Sequence, residues 1–281
     1  MTLFKTSPCQ TINARGTLLS FEKPLLMGIL NVTPDSFYDG GSSTTIELIL
    51  QKAERLLNEG ATILDIGAYS TRPGASQISP EEEINRAVPA IEAILLKFPK
   101  AILSIDTFRA DVAKACIAAG AHIINDVSGG TLDEKMFDTV AQLQVPYILM
   151  HMRGTPDTMS KLTDYKDIAN DVATFLAERV AILRSKGVKD IILDPGYGFA
   201  KTIRQNYDLV LRIAELHYLG LPILGGLSRK SMIYKKLNTS AQEALNGTTA
   251  LNTLLLERGV QILRIHDVKE AKELVTLFFE D

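Results

Sequence analysis

AILSIDTFRADVAKACIAAGAHIINDV, residues 101–127, holds a whole strand–helix–strand unit. AILSID (101–106) is a short apolar run ending in a carboxylate, and AHIINDV (121–127) is a second one carrying Asn125 and Asp126. Between them Ala110–Ala119 reads as a helix that stops at Gly120, a residue suited to the left-handed turn that closes a helix. Apolar runs of this length, apolar nearly throughout, are the mark of parallel strands covered on both faces.

The unit repeats in both directions. PLLMGILN (24–31), ATILDIG (61–67), VPYILMH (145–151), DIILD (190–194), LPILGG (221–226) and VQILRIH (260–266) bring the strand-like runs to eight. Helical patterns at Thr44–Glu59, Pro80–Lys97, Asp133–Gln142, Asp164–Lys186, Arg204–His217, Ala241–Arg258 and Val268–Phe279 separate and follow them. Ser79 stands as an N-cap, with Pro80 and three Glu behind it to complement the helix dipole. Gly60, Gly187, Gly220 and Gly259 repeat the role of Gly120. Eight strand–helix units without a linker predict one α/β domain, a (β/α)8 TIM barrel over residues 21–281 with residues 1–20 as a short N-terminal extension. An open doubly wound sheet is the rival arrangement.

In such barrels the functional residues stand at the C-terminal ends of the strands. Here those ends carry Asn31; Asp65 and Gly67; Asp106; Asn125 and Asp126; His151; Asp194; Ser228, Arg229 and Lys230; Arg264 and His266. A single polar residue at a strand end is routinely a cap or turn residue. Eight polar strand ends at one rim make a site. Asn31, Ser228, Lys230, Arg264 and His266 suit a phosphate or pyrophosphate. Asp106, Asn125 and Asp194 suit the N–H edge of a heterocycle. The two sets together point to a polar heterocycle carrying a phosphate ester.

Other signals are weaker. GYGFAK (196–201) has only half of a dinucleotide fingerprint and reads as a turn. Asp106 and Asp194 are a conceivable metal pair, but no His or Glu stands at ligand spacing beside them. His122 and His217 read as structural. Lys230 admits a Schiff-base role, although its Ser-Arg-Lys-Ser loop favours a charged one. The connection from Asn31 to Ser43 is longer than a strand–helix turn needs and reads as a lid or binding loop.

GILNVTPDSFYDGG, DIGAYSTRPGA, SIDTFR, INDVSGG, LDPGYGFAK, GGLSRKS and RIHDV resemble, in order, the signature segments of bacterial dihydropteroate synthases, from about residue 24 to 272. The resemblance implies condensation of p-aminobenzoate with 6-hydroxymethyl-7,8-dihydropterin pyrophosphate in folate synthesis, with Mg²⁺. It implies a pterin pocket of Asp106, Asn125, Asp194 and Lys230, and pyrophosphate binding by Asn31, Arg264 and His266, with Asn31 near the metal. It implies p-aminobenzoate contacts from Thr71, Arg72, Pro73, Phe199, Lys230 and Ser231, with Phe37 and Asp39 closing from the first loop. Asp39, Arg72, Asp106 and Lys230 are the residues it connects with catalysis. Pro34 and Phe37 would exclude water, and Asp39 would meet Arg72. Members of the family are sulfonamide targets and usually homodimers, and Leu251, Leu254, Leu255, Leu274, Leu277 and Phe278 are candidates for that interface or for ordinary packing.

Tyr69 stands where the family commonly has Glu, and Ala200 where it has Gly. A methyltransferase domain passing a methyl group from a folate to a corrinoid would share Asp106, Asn125 and Asp194 but not need the pyrophosphate set. A pterin-binding protein without activity would be expected to lose some of Asn31, Asp39, Arg72, Lys230, Arg264 or His266, and all are present. A phosphate-binding aldolase would use Lys230 covalently.

Composition narrows the setting. The net charge is −3 and no basic stripe interleaved with aromatics appears, which argues against a nucleic-acid partner. No apolar run reaches the roughly 18 residues of a membrane span. With two cysteines in unrelated contexts, Cys9 and Cys116, a disulfide framework is not expected and the cytoplasm is.

Overall fold

The computed structural model describes residues 10–33, 42–69 and 77–279. Two short strands come first, β1 (Thr11–Ala14) and β2 (Thr17–Ser20), paired antiparallel. Arg15 and Gly16 turn between them at φ 53° and 97°, the paired positive values of a hairpin turn whose twist matches its strands. The Asn13 side chain accepts the Gly16 N–H at 2.6 Å.

The barrel strands follow: β3 (Leu25–Asn31), β4 (Ile63–Gly67), β5 (Ile102–Asp106), β6 (Ile123–Asp126), β7 (Tyr147–Met150), β8 (Ile191–Asp194), β9 (Leu224–Gly225) and β10 (Ile262–Ile265). They are parallel and adjacent in the order β8-β7-β6-β5-β4-β3-β10-β9. A parallel bridge between Leu193 and Ile223, with Leu193 N–H on Pro222 O at 2.8 Å, joins β8 to the β9 segment and closes the ring. The closed barrel, not the open sheet, is the fold.

Helices α1 (Ser42–Asn58), α2 (Pro80–Lys97), α3 (Ala110–Ala118), α4 (Met136–Leu143), α5 (Ile168–Ser185), α6 (Ile203–Arg212), α7 (Ser231–Tyr234), α8 (Leu245–Glu257) and α9 (Val268–Phe279) surround it. Ser79 caps α2 as expected, accepting the Glu82 N–H at 3.2 Å. Gly60, Gly120, Gly187, Gly220 and Gly259 all have positive φ. Two expected helices are interrupted. The one from Arg204 tightens into 3-10 turns over Ile213–Leu219. The one from Ala241 begins only at Leu245, after the short α7 and a left-handed Asn238 at φ 52°.

Strand parity decides what each residue faces. Met27, Ile63, Ile102, Ile123, Ile148, Ile192, Leu224 and Ile262, one per strand, pack inside the lower barrel with Ile12, Ala14, Leu19 and Phe21 of the N-terminal hairpin segment. Residues 11–21 are thus a plug beneath the barrel. Neighbours of opposite parity, such as Leu64, Leu103, Ile124 and Leu263, pack outward against the helices. Two residues above the apolar ring stand Asp65, Ser104, Asn125, Asp194 and Arg264, all inward by the same parity.

Candidate active site

The upper barrel holds a cavity of about 460 Å³ lined by Asn31, Tyr69, Asp106, Asn125, Asp194, Phe199, Ser228, Lys230, Arg264 and His266, with Ile29, Val127 and Met150 among its apolar walls. Every barrel strand contributes through its own residues or the segment that follows.

Arg264 organises the floor. Its Nε donates to Asp65 Oδ2 and its Nη2 to Asp106 Oδ2, each at 2.6 Å. Asn125 Nδ2 donates to the same Asp65 oxygen at 3.1 Å, which leaves the Asn125 carbonyl oxygen for the cavity. Asp65 is wholly buried, and its other oxygen has no partner among the described residues. Burial pushes Asp106 up to about 7, with Arg264 pulling it down and Asp65 pushing it further up. Despite burial, the two carboxylates hold Arg264 charged.

Asp194 gives one oxygen to the Gly196 N–H at 2.7 Å. Burial raises its pKa against the pull of Lys230. Lys230 donates from Nζ to Tyr197 O and lies 4.9 Å from the centre of the Phe199 ring. Burial lowers Lys230 to about 8, while Asp194 opposes the shift. Its position beside a carboxylate supports the charged role over the Schiff-base one.

His266 is set by Ser228. Ser228 Oγ accepts the His266 backbone N–H at 3.1 Å and lies 3.0 Å from Nδ1. Where Ser228 gives its own proton to Nδ1, the imidazole N–H stands at Nε2. Burial, then Arg264 and Arg229, lower His266 to about 4, so it is a neutral donor at pH 7. Arg229, at φ 56°, also lines the cavity and is held in an ion pair with Asp267.

Parity removes two rim residues from the cavity. Asp126 points outward, where Tyr147 Oη donates to it at 2.6 Å and Ser128 Oγ at 2.7 Å. His151 also points away and meets Lys201 Nζ at 3.0 Å. Tyr147→Phe is therefore expected to lower stability by about 2 kcal/mol, the range for a hydrogen bond to a charged group, with kcat unchanged. Urea unfolding and steady-state kinetics check the two halves.

A model for the "Pterin binding enzyme" family matches residues 27–266. The dihydropteroate synthase of Escherichia coli K12 is 42% identical over 263 residues, 92% of each chain. The chain belongs to the dihydropteroate synthase family. The solved structure of the Xanthomonas albilineans dihydropteroate synthase with 4-aminobenzoic acid superposes with a TM-score of 0.89 at 39% identity, covering 97% of each chain. That of the same organism's enzyme with 7,8-dihydropteroate gives 0.86 at 36% identity, covering 95% of this chain and 97% of that one.

Of the residues that resemblance to dihydropteroate synthases singles out, Asn31, Asp106, Asn125, Asp194, Phe199, Lys230, Arg264 and His266 meet at this one cavity. Ser231 opens α7 beside Lys230 without lining it. Phe37, Asp39, Thr71, Arg72 and Pro73 lie outside the described residues. Asp65 and Ser228 stand at the rim that the sequence marks, Ser228 among its phosphate donors; the structure adds that Asp65 anchors Arg264 and Asn125 and that Ser228 orients His266.

The two departures from the dihydropteroate synthase pattern are both accommodated. Tyr69 packs edge-on against Phe108 at 5.3 Å, and the Arg109 guanidinium lies 5.1 Å from its ring. Arg109 in turn holds buried Glu83 at 2.7 Å and Ile78 O at 2.8 Å. Ala200 adopts φ 48°, a conformation that costs an L-residue roughly 1 kcal/mol relative to Gly. Its methyl is buried among Val127, Met150, Met152 and Met159, not aimed at the cavity.

Among the described residues no cluster of three or more His, Cys, Asp or Glu side chains can hold an ion. Asn31 lines the cavity, and Gly67 keeps room for its Oδ1: a methyl at 67 would come within 2.9 Å of that oxygen. One amide oxygen suits Mg²⁺ carried by a substrate's phosphates, since Mg²⁺ keeps most of its water.

Proposed function

We propose that the chain condenses p-aminobenzoate with 6-hydroxymethyl-7,8-dihydropterin pyrophosphate, giving 7,8-dihydropteroate and pyrophosphate. The observation that carries this reading is one cavity with an acceptor floor, Asp106, Asn125 and Asp194, beside a donor wall, Lys230, Arg264, His266 and Ser228. The floor matches the N–H edge of a dihydropterin. The wall matches its pyrophosphate.

Asn125 and Asp194 hold the pterin through oxygens that Asp65 and Gly196 leave to the cavity. Arg264 has two of its five donors committed, so the rest are available to the leaving group. His266 adds the Nε2 proton. Mg²⁺, held by Asn31 and the substrate's own oxygens, would neutralise pyrophosphate charge. Loss of pyrophosphate leaves a methylene cation conjugated with the pterin, and the Asp106 carboxylate stabilises it. The apolar walls Ile29, Val127, Met150 and Phe199 limit water at that point, so the aryl amine captures the cation. The same reading gives Phe199, Ser231, Thr71, Arg72, Pro73, Phe37 and Asp39 to p-aminobenzoate and to closure over it.

The setting we propose is the cytoplasm, which suits the free, buried Cys116. No described helix is long and apolar enough to cross a membrane. We propose a homodimer through the outer face of α9, where Leu277 is 75% and Phe278 44% exposed. Leu251, Leu255 and Leu274 instead face the core.

The test is direct. Purified protein with Mg²⁺ and both substrates is expected to form dihydropteroate and pyrophosphate in equal amounts. Pyrophosphate without dihydropteroate, or neither product, would overturn the reading.

A further inference from the structure

Lys201 is nine-tenths buried and does not line the cavity. Its Nζ lies 2.8 Å from Gly196 O, 3.0 Å from Phe199 O and 3.0 Å from His151 Nδ1. These contacts draw both ends of the Gly196–Phe199 turn onto one nitrogen. Burial holds its pKa well below the ordinary lysine value, with Asp194 opposing. Either protonation state keeps the knot. The ammonium donates to both carbonyls and to Nδ1; the amine donates to both carbonyls and accepts from an Nδ1 proton.

The turn so held is the one that partners Lys230. Tyr197 O, between the two tied carbonyls, accepts from Lys230 Nζ, and the Phe199 ring lies 4.9 Å from that nitrogen. The other side is equally fixed. Gly198 N–H donates to Asn206 Oδ1 at 2.7 Å. Gly196 sits at φ 67°, where a Cβ would come within 2.0 Å of His151 O, so the turn presses directly on the β7 end. At Gly198 a Cβ would lie 3.2 Å from the Lys230 Cδ, so Lys230 runs closely over the turn. The carbonyl and the ring that place Lys230 both depend on the shape of four residues, and Lys201 ties that shape from below.

We propose that Lys201 is a positioning residue: through the Gly196–Phe199 turn it sets the place of Lys230 and of the Phe199 ring, and so the site for the aryl amine. The proposal rests on the reading of the cavity given above and extends it to a residue that touches neither substrate. GYGFAK is then neither a cofactor loop nor a passive turn. Its lysine is the tie beneath the wall.

The test compares Lys201→Met, which keeps length and loses the donors, with Lys230→Met and the double variant. Lys201→Met is expected to lower kcat/KM for p-aminobenzoate about 100-fold, the scale of a misplacement of roughly 1 Å. The Kd for dihydropterin pyrophosphate is expected to weaken much less, because Lys230 and Asp194 meet the turn but Asn125, Asp106 and Arg264 are held independently of it. In the Lys230→Met background the second substitution is expected to cost clearly less than it does in the wild type, because one of its two targets is gone and only the Phe199 ring is left to be misplaced. Lys201→Gln, which keeps a donor, is expected to fall between wild type and Lys201→Met. It also supplies the comparison with Lys230→Met if Lys201→Met does not fold. Equal losses in amine and pterin binding, or a full additional loss in the Lys230→Met background, would overturn the proposal. A wild-type enzyme that forms no dihydropteroate would instead refute the function itself.

Discussion

Asp106→Asn is expected to lower kcat by about 10²–10³-fold, the cost of removing one preorganised group aimed at developing charge. The substitution keeps size and hydrogen-bonding capacity and removes only the charge. The pH dependence adds a second signature. Asp106 is pushed up to about 7 by burial, so its ionised form is lost as pH falls through that value. Lys230 is lowered to about 8, so its charge is lost as pH rises through that value. Wild-type kcat/KM should therefore be bell-shaped, with an acid limb from Asp106 and an alkaline limb from Lys230. In Asp106→Asn the acid limb should disappear while the alkaline limb stays. A profile that keeps both limbs would assign the acid limb to another group.

Arg264→Met is expected to damage both activity and the fold. Arg264 alone bridges Asp65 and Asp106, which are otherwise two carboxylates facing one floor. Removing one partner of a buried ion pair costs about 3–5 kcal/mol, because an uncompensated charge is left behind. For a chain of this size that corresponds to a Tm lower by roughly 10 °C. The loss should shrink at acid pH. Without the guanidinium Asp106 loses the pull that opposes its burial, so its pKa rises further above the unfolded value, and the penalty for keeping it charged is relieved as pH falls through that raised pKa. Thermal melts of wild type and variant at pH 5.5 and 8 check the sign. Arg264→Lys keeps a charge but has one nitrogen where two carboxylates need two, so it is expected to recover only part of the stability.

These two residues also show what the sequence discloses and what it withholds. The barrel was legible because each strand run is short, apolar and followed by a helix that ends on a glycine. The polar rim was legible because eight runs end in groups that a core would not keep. What the runs concealed was parity. ILDIG and IIND are buried at every position, so burial alone cannot say which side faces the barrel axis. Asp65 turns inward to hold Arg264, whereas Asp126, adjacent to Asn125, turns outward to Tyr147. The plug at residues 11–20 escaped because two four-residue strands carry little pattern, and their apolar residues make sense only against the barrel floor. The Ser228–His266 and Lys201–His151 pairs join residues 38 and 50 apart in sequence, and only the closed barrel brings them together.

The proposed mechanism requires pyrophosphate to leave before the amine attacks. The measurement that addresses it most directly is a single-turnover rate with dihydropterin pyrophosphate deuterated at both positions of its methylene. Ionisation flattens that carbon, so the account predicts a clear normal secondary isotope effect, independent of p-aminobenzoate concentration once the site is full. An effect indistinguishable from unity would mean that the amine displaces pyrophosphate directly, and would contradict the role given to Asp106.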